Sequence, residues 1–272
     1  MVRWVVGVQY QGSGGSGWQK QPQVRTIQSQ VEDALSSIAA ESIETICAGR
    51  TDAGVHATRQ IVHFDTKVVR PPHAWVLGGN KYLPDTIKLK WATTITDDFH
   101  ARFSATARQY QYIIYNHPIQ CPFYANRAWW MPQKKLCIQS MRDAAKLWVG
   151  EQDFSSFRAS ACQAKHPRRR LFYIKVVRQG DLVKVTICAN AFLHHMVRNI
   201  LGVLVPIGEG RQPISWAKTV LNGRSRQVAG ITAPAYGLYL EKVYYPGYLA
   251  DRIQHLDGDG LAEEEIFPYY NQ

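Results

Sequence analysis

Apolar and polar residues alternate from the second position: Val2, Trp4, Val6 and Val8 share one face, which predicts a strand over Val2 to Tyr10. The period then changes. Ile27, Val31, Ala34, Leu35 and Ile38 recur at helical spacing, and Thr26 stands where an N-cap belongs. Short strands are predicted over Glu44 to Cys47 and Gln60 to Asp65, a helix over Pro71 to Gly78, and a strand over Ile87 to Ala92. A second series opens near Arg108, with a strand through Tyr110, Tyr112 and Ile114 and a helix over Ile138 to Val149. Strands over Leu171 to Arg178 and Leu182 to Ala189 follow, joined by the turn Gln179-Gly180-Asp181. Helices over Phe192 to Ile207 and Ser215 to Leu221 and a strand over Tyr239 to Tyr244 complete it. Hairpins mixed with irregular strand–helix alternation predict an α+β fold with largely antiparallel sheet, not a doubly wound parallel one.

Composition narrows the class. The 272 residues are 46% hydrophobic and 11% aromatic, enough for a sizeable core, which excludes global disorder. The most apolar stretch, Ile200 to Ile207, is far shorter than a membrane span and contains Gly202 and Pro206. The N-terminus enters the first strand without the apolar run of a signal peptide, so a cytoplasmic protein is expected. Five widely spaced cysteines without a Cys-x-x-Cys pair indicate neither a disulfide framework nor a thiolate zinc site. The net charge of +11 is unevenly placed. Residues 251–272 hold six acids against Arg252 alone, leaving the preceding 250 at +16. A body that basic suits a polyanion without requiring one.

Four segments could carry chemistry. In Ala48-Gly49-Arg50-Thr51-Asp52-Ala53-Gly54-Val55-His56-Ala57, small residues between two strands leave Arg50 and Asp52 as the prominent polar side chains. By pattern alone, a surface turn whose aspartate makes an Asx hydrogen bond is the better reading. In the predicted helix from Phe192, two adjoining apolar stripes imply burial and Arg198 lies outside both. A buried Arg198 would need a carboxylate. His194 and His195 would diverge by about 100° on a helix and so make a poor metal pair. Lys165-His166-Pro167-Arg168-Arg169-Arg170 reads as an exposed arm suited to phosphate contact or to solvent. Tyr110 closes the segment Arg102 to Tyr110 and serves equally as a core tyrosine. The acids Asp97 and Asp98 would point to opposite faces of an extended chain, which favours a turn or cap role. The Gly/Ser loop Gly12 to Gly17 lacks a Lys-Ser/Thr ending and reads as a flexible turn.

The string from Ala48 to His56 resembles the catalytic loop of the tRNA pseudouridine synthases of the TruA family. Other blocks match in order: Gly17-Trp18-Gln19, Asp98 to Thr106, Tyr110 to Tyr115, Gly150 to Phe157, Phe192 to Gly202 and Gly237 to Leu240. The resemblance runs from Val2 to Pro246. It departs at Gly14-Gly15-Ser16, where the family usually has an aromatic, over Asn116 to Gln139, and after Pro246.

The resemblance implies an isomerase that converts uridine to pseudouridine at positions 38, 39 and 40 of the tRNA anticodon arm. It implies no cofactor, no metal and no membrane, and a homodimer of chains built from two ferredoxin-like α/β halves sharing one central, mostly antiparallel sheet. The halves are expected at 1–107, with the catalytic loop, and 108–246. An acidic tail follows at 247–272, for which disorder and shielding of the basic face are both open. Carried over by motif, Asp52 is the catalytic carboxylate, Arg50 its neighbour near the displaced base, Tyr110 the ring stacked on the target uracil, and Arg198 the ion-pair partner of Asp52. The alternative class is a non-catalytic RNA-binding protein that keeps the fold.

Overall fold

The alternation over the first residues forms β1 (Val2–Tyr10), whose inner positions Trp4, Val5, Val6, Val8 and Tyr10 are buried. It runs antiparallel to β3 (His56–Thr66) and to β4 (Ile87–Ile95). Between β1 and β3 lie α1 (Ile27–Ala39) and the short β2 (Ile46–Cys47), which pairs with β3. The Thr26 side chain accepts from the Ser29 amide and the Ser29 hydroxyl accepts from the Thr26 amide, so two N-terminal donors of the helix are met locally. The predicted helix at Pro71 to Gly78 is instead a π turn, Ala74–Gly78, running into α2 (Gly79–Tyr82). The computed structural model describes residues 1–132, 135–247 and 253.

The chain divides into two units, Met1–Thr106 with the stretch from Tyr239, and Ala107–Leu238. The last strand, β10 (Leu238–Tyr244), was expected with the second half. Its residues Tyr239 and Leu240 lie parallel to His56 and Ala57 of β3, so from Tyr239 it belongs with the first unit, where the order is β4-β1-β3-β10.

In the second unit β5 (Ala107–Tyr115) pairs antiparallel with β9 (Leu182–Ala189), β9 with β8 (Arg168–Gln179), and β8 with β7 (Gly150–Asp153). A two-residue strand, β6 (Trp129–Trp130), lies parallel to β5. Strands this short carry no readable period, and neither β6 nor β7 is predicted from the pattern. The helices are α3 (Ile138–Lys146), α4 (Met196–Gly208) and α5 (Trp216–Gly223). Each unit is thus helices with a largely antiparallel sheet, as an α+β fold requires. Among the described residues no helix is long and apolar enough to cross a membrane.

Three expectations change. Helix α4 begins at Met196, not Phe192, because His195 takes φ 61°, a left-handed conformation that cannot continue a right-handed helix. The rings of His194 and His195 therefore do not diverge but pack at 3.9 Å. The basic arm is half strand. Arg168, Arg169 and Arg170 open β8, paired to Asp153, Gln152 and Glu151, and the pleat turns Arg169 inward while its two neighbours stay exposed. The acidic tail, apart from Gly247 and Ile253, lies outside the described residues.

Candidate active site

The loop carrying Arg50 and Asp52 joins β2 to β3 and is pinned along its length. Ala48 donates to the Ile61 carbonyl at 2.8 Å. Gln60, fully buried on β3, takes the Gly49 amide at 3.3 Å and returns a hydrogen bond to the Gly49 carbonyl at 2.6 Å. The Thr51 hydroxyl lies 2.7 Å from the Tyr10 hydroxyl, which also accepts from Gln60 at 3.4 Å. Trp18 donates to the Thr51 carbonyl at 3.0 Å, and Val55 to the Asp52 carbonyl at 3.1 Å, closing a turn around the aspartate. Arg50 is exposed and Asp52 half-buried. The carboxylate thus stands on a backbone fixed by its neighbours, followed by the small residues Ala53 and Gly54.

The Gly12 to Gly17 loop is held at both ends, which corrects its reading as a flexible turn. The Gly12 amide donates to Nδ1 of His56, whose ring stacks on Tyr239 at 4.6 Å. A Cβ on Gly12 would fall 2.0 Å from the Val55 carbonyl oxygen, so only glycine lets the two backbones meet. At the other end the carbonyls of Gly17 and Trp18 accept from Ile27 and Gln28, the first amides of α1. Burial pushes the nearby Cys47 thiol up to about 12 against the pull of the Arg50 charge, so it stays protonated and offers no competing nucleophile.

In the second unit Tyr110 lies on β5 opposite Ile187, 9% exposed, with the Phe192 ring edge-on at 4.9 Å. Arg198 sits in the first turn of α4. Its Nε donates to the Ala233 carbonyl at 2.7 Å, and the Ala233 amide donates back to the Arg198 carbonyl at 3.1 Å. Beside it the fully buried Asn199 donates to the Phe157 carbonyl at 2.8 Å and accepts from the Thr232 hydroxyl at 2.7 Å. The chain at Ile231 rests directly on α4, where a Cβ on Gly202 would fall 1.7 Å from the Ile231 carbonyl oxygen. Arg198 is therefore held at both main chain and side chain, in a half-buried position.

A family model described as tRNA pseudouridine synthase matches residues 6–104 and 144–246. A tRNA pseudouridine synthase A of Nitrosococcus oceani is 52% identical over 247 residues, covering 91% of this chain and 95% of its own. One of Pseudomonas aeruginosa is 51% identical over 90% of this chain and 86% of its own. The chain belongs to the tRNA pseudouridine synthase family. A similarly named protein of Bordetella petrii is 47% identical over 96% of this chain and 97% of its own. A solved chain from a Cbf5–Nop10–Gar1 complex aligns at 12% identity and a TM-score of 0.34, over 95% of this chain and 67% of that one, too distant to carry an argument.

The matched segments of the tRNA pseudouridine synthase model include Arg50, Asp52 and Arg198 but stop short of Tyr110. They also end at 246, ahead of the acidic tail. Sequence reasoning missed the residues that hold the family's loops in place: Tyr10, Gln60 and His56 around Asp52, and Asn199 and Thr232 beside Arg198. Asn199 carries one usable signal: it is an amide inside a largely apolar helix, and a buried amide requires hydrogen-bond partners.

Proposed function

We propose that this chain isomerises uridine to pseudouridine at positions 38, 39 and 40 of the tRNA anticodon arm, working in the cytoplasm as a homodimer without cofactor or metal. The observation that carries the reading is the single carboxylate of Asp52 on a backbone pinned on every side, within a chain of the tRNA pseudouridine synthase family.

The chemistry asks for little more. The bond between the sugar C1′ and uracil N1 breaks, the ring turns, and C1′ rejoins through C5. N1 gains a proton and C5 loses its hydrogen to solvent. A carboxylate attacking the sugar or ring carbon, or removing a sugar proton to give a glycal, serves each route only when ionised. Arg198 is assigned as the ion-pair partner of Asp52. Before reaction the base must leave its stack, at a cost of a few kcal/mol. Tyr110 is assigned to hold it, since an aromatic face contributes about 1–3 kcal/mol without fixing the ring's in-plane orientation. Arg50, exposed beside Asp52, has the planar donor fork suited to a phosphate or a uracil carbonyl.

The test is release of tritium from tRNA labelled at uracil C5. Asp52→Asn should lose on the order of 10⁴-fold or more in turnover while keeping the fold and tRNA affinity. Turnover by the variant within tenfold of the parent would overturn the assignment. An inactive parent chain that still binds tRNA would favour the non-catalytic RNA-binding alternative.

A further inference from the structure

The second unit contains a cation that nothing in the proposed chemistry uses. Arg169 is only 9% exposed. Among the described residues its side chain bonds through Nη1, to the carbonyls of His166 at 2.9 Å and Arg168 at 2.6 Å, with Nδ1 of His166 at 3.4 Å. Its Nε is buried and has no hydrogen-bond partner among the described residues. In a guanidinium, Nε–H and one N–H of Nη2 point the same way and form the side-on fork that takes two oxygens of a carboxylate or phosphate. That edge is the one left unmet.

No carboxylate of the described residues bonds this guanidinium. Glu151 faces Arg168 at 3.9 Å and Asp153 faces Arg224 at 3.8 Å. Another cation, Arg158, acts on it, and spends Nη2 on the carbonyls of Cys162 and Ala164, both at 2.8 Å. Burial lowers the hold of Arg169 on its proton, the Cys162 sulfur opposes this, and Arg158 adds to it. A desolvated charge beside a like charge is costly unless an anion completes the site. Lys165 and His166, both exposed, precede it on the loop and add further cationic or donor groups to this end of the strand.

We propose that the corner formed by Arg158 and Arg169, where the loop 158–167 enters β8, is a phosphodiester-binding subsite that grips the tRNA backbone through the side-on fork of Arg169. The proposal rests on tRNA being the substrate. It separates the three consecutive arginines: Arg168 and Arg170 lie on the opposite face of β8 and add only screened charge, whereas Arg169 supplies a built contact.

The experiment measures tRNA dissociation constants against salt for the parent chain, Arg169→Met, Arg169→Lys and the double variant Arg168→Gln/Arg170→Gln, with folding checked by thermal melting. Arg169→Met should bind about tenfold more weakly and shallow the salt slope by about one, with kcat at saturating tRNA unchanged. Arg169→Lys, keeping the charge but not the fork, should fall between, and the double variant should lose less than Arg169→Met. Parent-like affinity and slope in a folded Arg169→Met overturn the proposal. A second readout is independent of folding in the variants. The Arg169 Nε–H resonance of the parent, assigned by its absence in Arg169→Lys, should move on titration with an anticodon stem-loop RNA and, at higher concentration, with inorganic phosphate. A resonance that neither ligand moves also overturns it. If the parent chain neither binds tRNA nor makes pseudouridine, the functional reading falls, and the phosphate titration still decides the subsite.

Discussion

The loop around Asp52 and the loop ahead of Arg169 both deliver one charged side chain from a short connection next to a strand, and they treat hydrogen bonding in opposite ways. Around Asp52 the buried polar groups are met: Gln60 serves both sides of Gly49, Thr51 meets Tyr10, and the Gly12 amide meets His56. Ahead of Arg169 the backbone carbonyls are met by two guanidinium groups while the Nε donor of Arg169 stays buried and unmet among the described residues. A fully satisfied network fixes a position and has no call on anything outside the protein. A buried donor without a partner carries a free-energy cost that an incoming anion removes. The first arrangement suits a reacting group that must not move, and the second suits a grip that a substrate completes.

Adding a methyl group to the first loop should give the largest effect. Gly12→Ala sets a Cβ against the Val55 carbonyl oxygen, a backbone atom that can yield only by moving the turn that holds Asp52. We expect a stability loss of about 3 kcal/mol or more and turnover reduced roughly 10²-fold in whatever remains folded. Chemical denaturation and tritium release would check the two parts. A variant with parent-like turnover would show that the Asp52 backbone is not fixed by this contact. Gln60→Ala comes next. It leaves the Gly49 amide and carbonyl without their partner inside the protein, and we expect about 2–3 kcal/mol of lost stability. Turnover should fall while the tRNA dissociation constant holds, since Gln60 is fully buried. A variant that loses affinity instead of turnover would move Gln60 from positioning the aspartate to shaping the RNA surface.

The same contrast explains what could be read in the chain before its structure. Thr26 was legible as a cap because a capping box is made by residues three apart. Leu182 to Ala189 was legible as a strand because alternation is local. The Asp52 loop was legible through its unusual string of small residues, and its chemistry only through resemblance to a family. Gln60 was not legible, because whether a polar residue in a strand faces inward depends on which strands flank it. The inward turn of Arg169 was hidden in the same way. Three consecutive arginines look alike until pairing with Gln152 fixes the pleat. The start of α4 failed for a different reason: the apolar stripes continue back to Phe192, and one left-handed residue, His195, stops the helix without altering them.

The smallest effect on stability, and the one that separates the two loops most sharply, belongs to Arg169→Met. Removing a satisfied group such as the Gln60 amide should cost what its partners lose. Removing Arg169 also ends the desolvation of an unpaired charge and its repulsion from Arg158. The carbonyls of His166 and Arg168 lose a donor, but both residues are exposed and water can replace it. An apolar side chain of similar length fills the same space, and replacing buried charge in this way is often neutral or stabilising. We therefore expect Arg169→Met to unfold within about 1 kcal/mol of the parent, or at higher denaturant, while it is the poorer binder of tRNA. Equilibrium denaturation at low and high salt would check this. The salt series matters because added anions should stabilise the parent more than the variant if the Arg169 fork takes them. A loss above about 2 kcal/mol, unaffected by salt, would place Arg169 in the same class as Gln60, a residue that holds its own loop together.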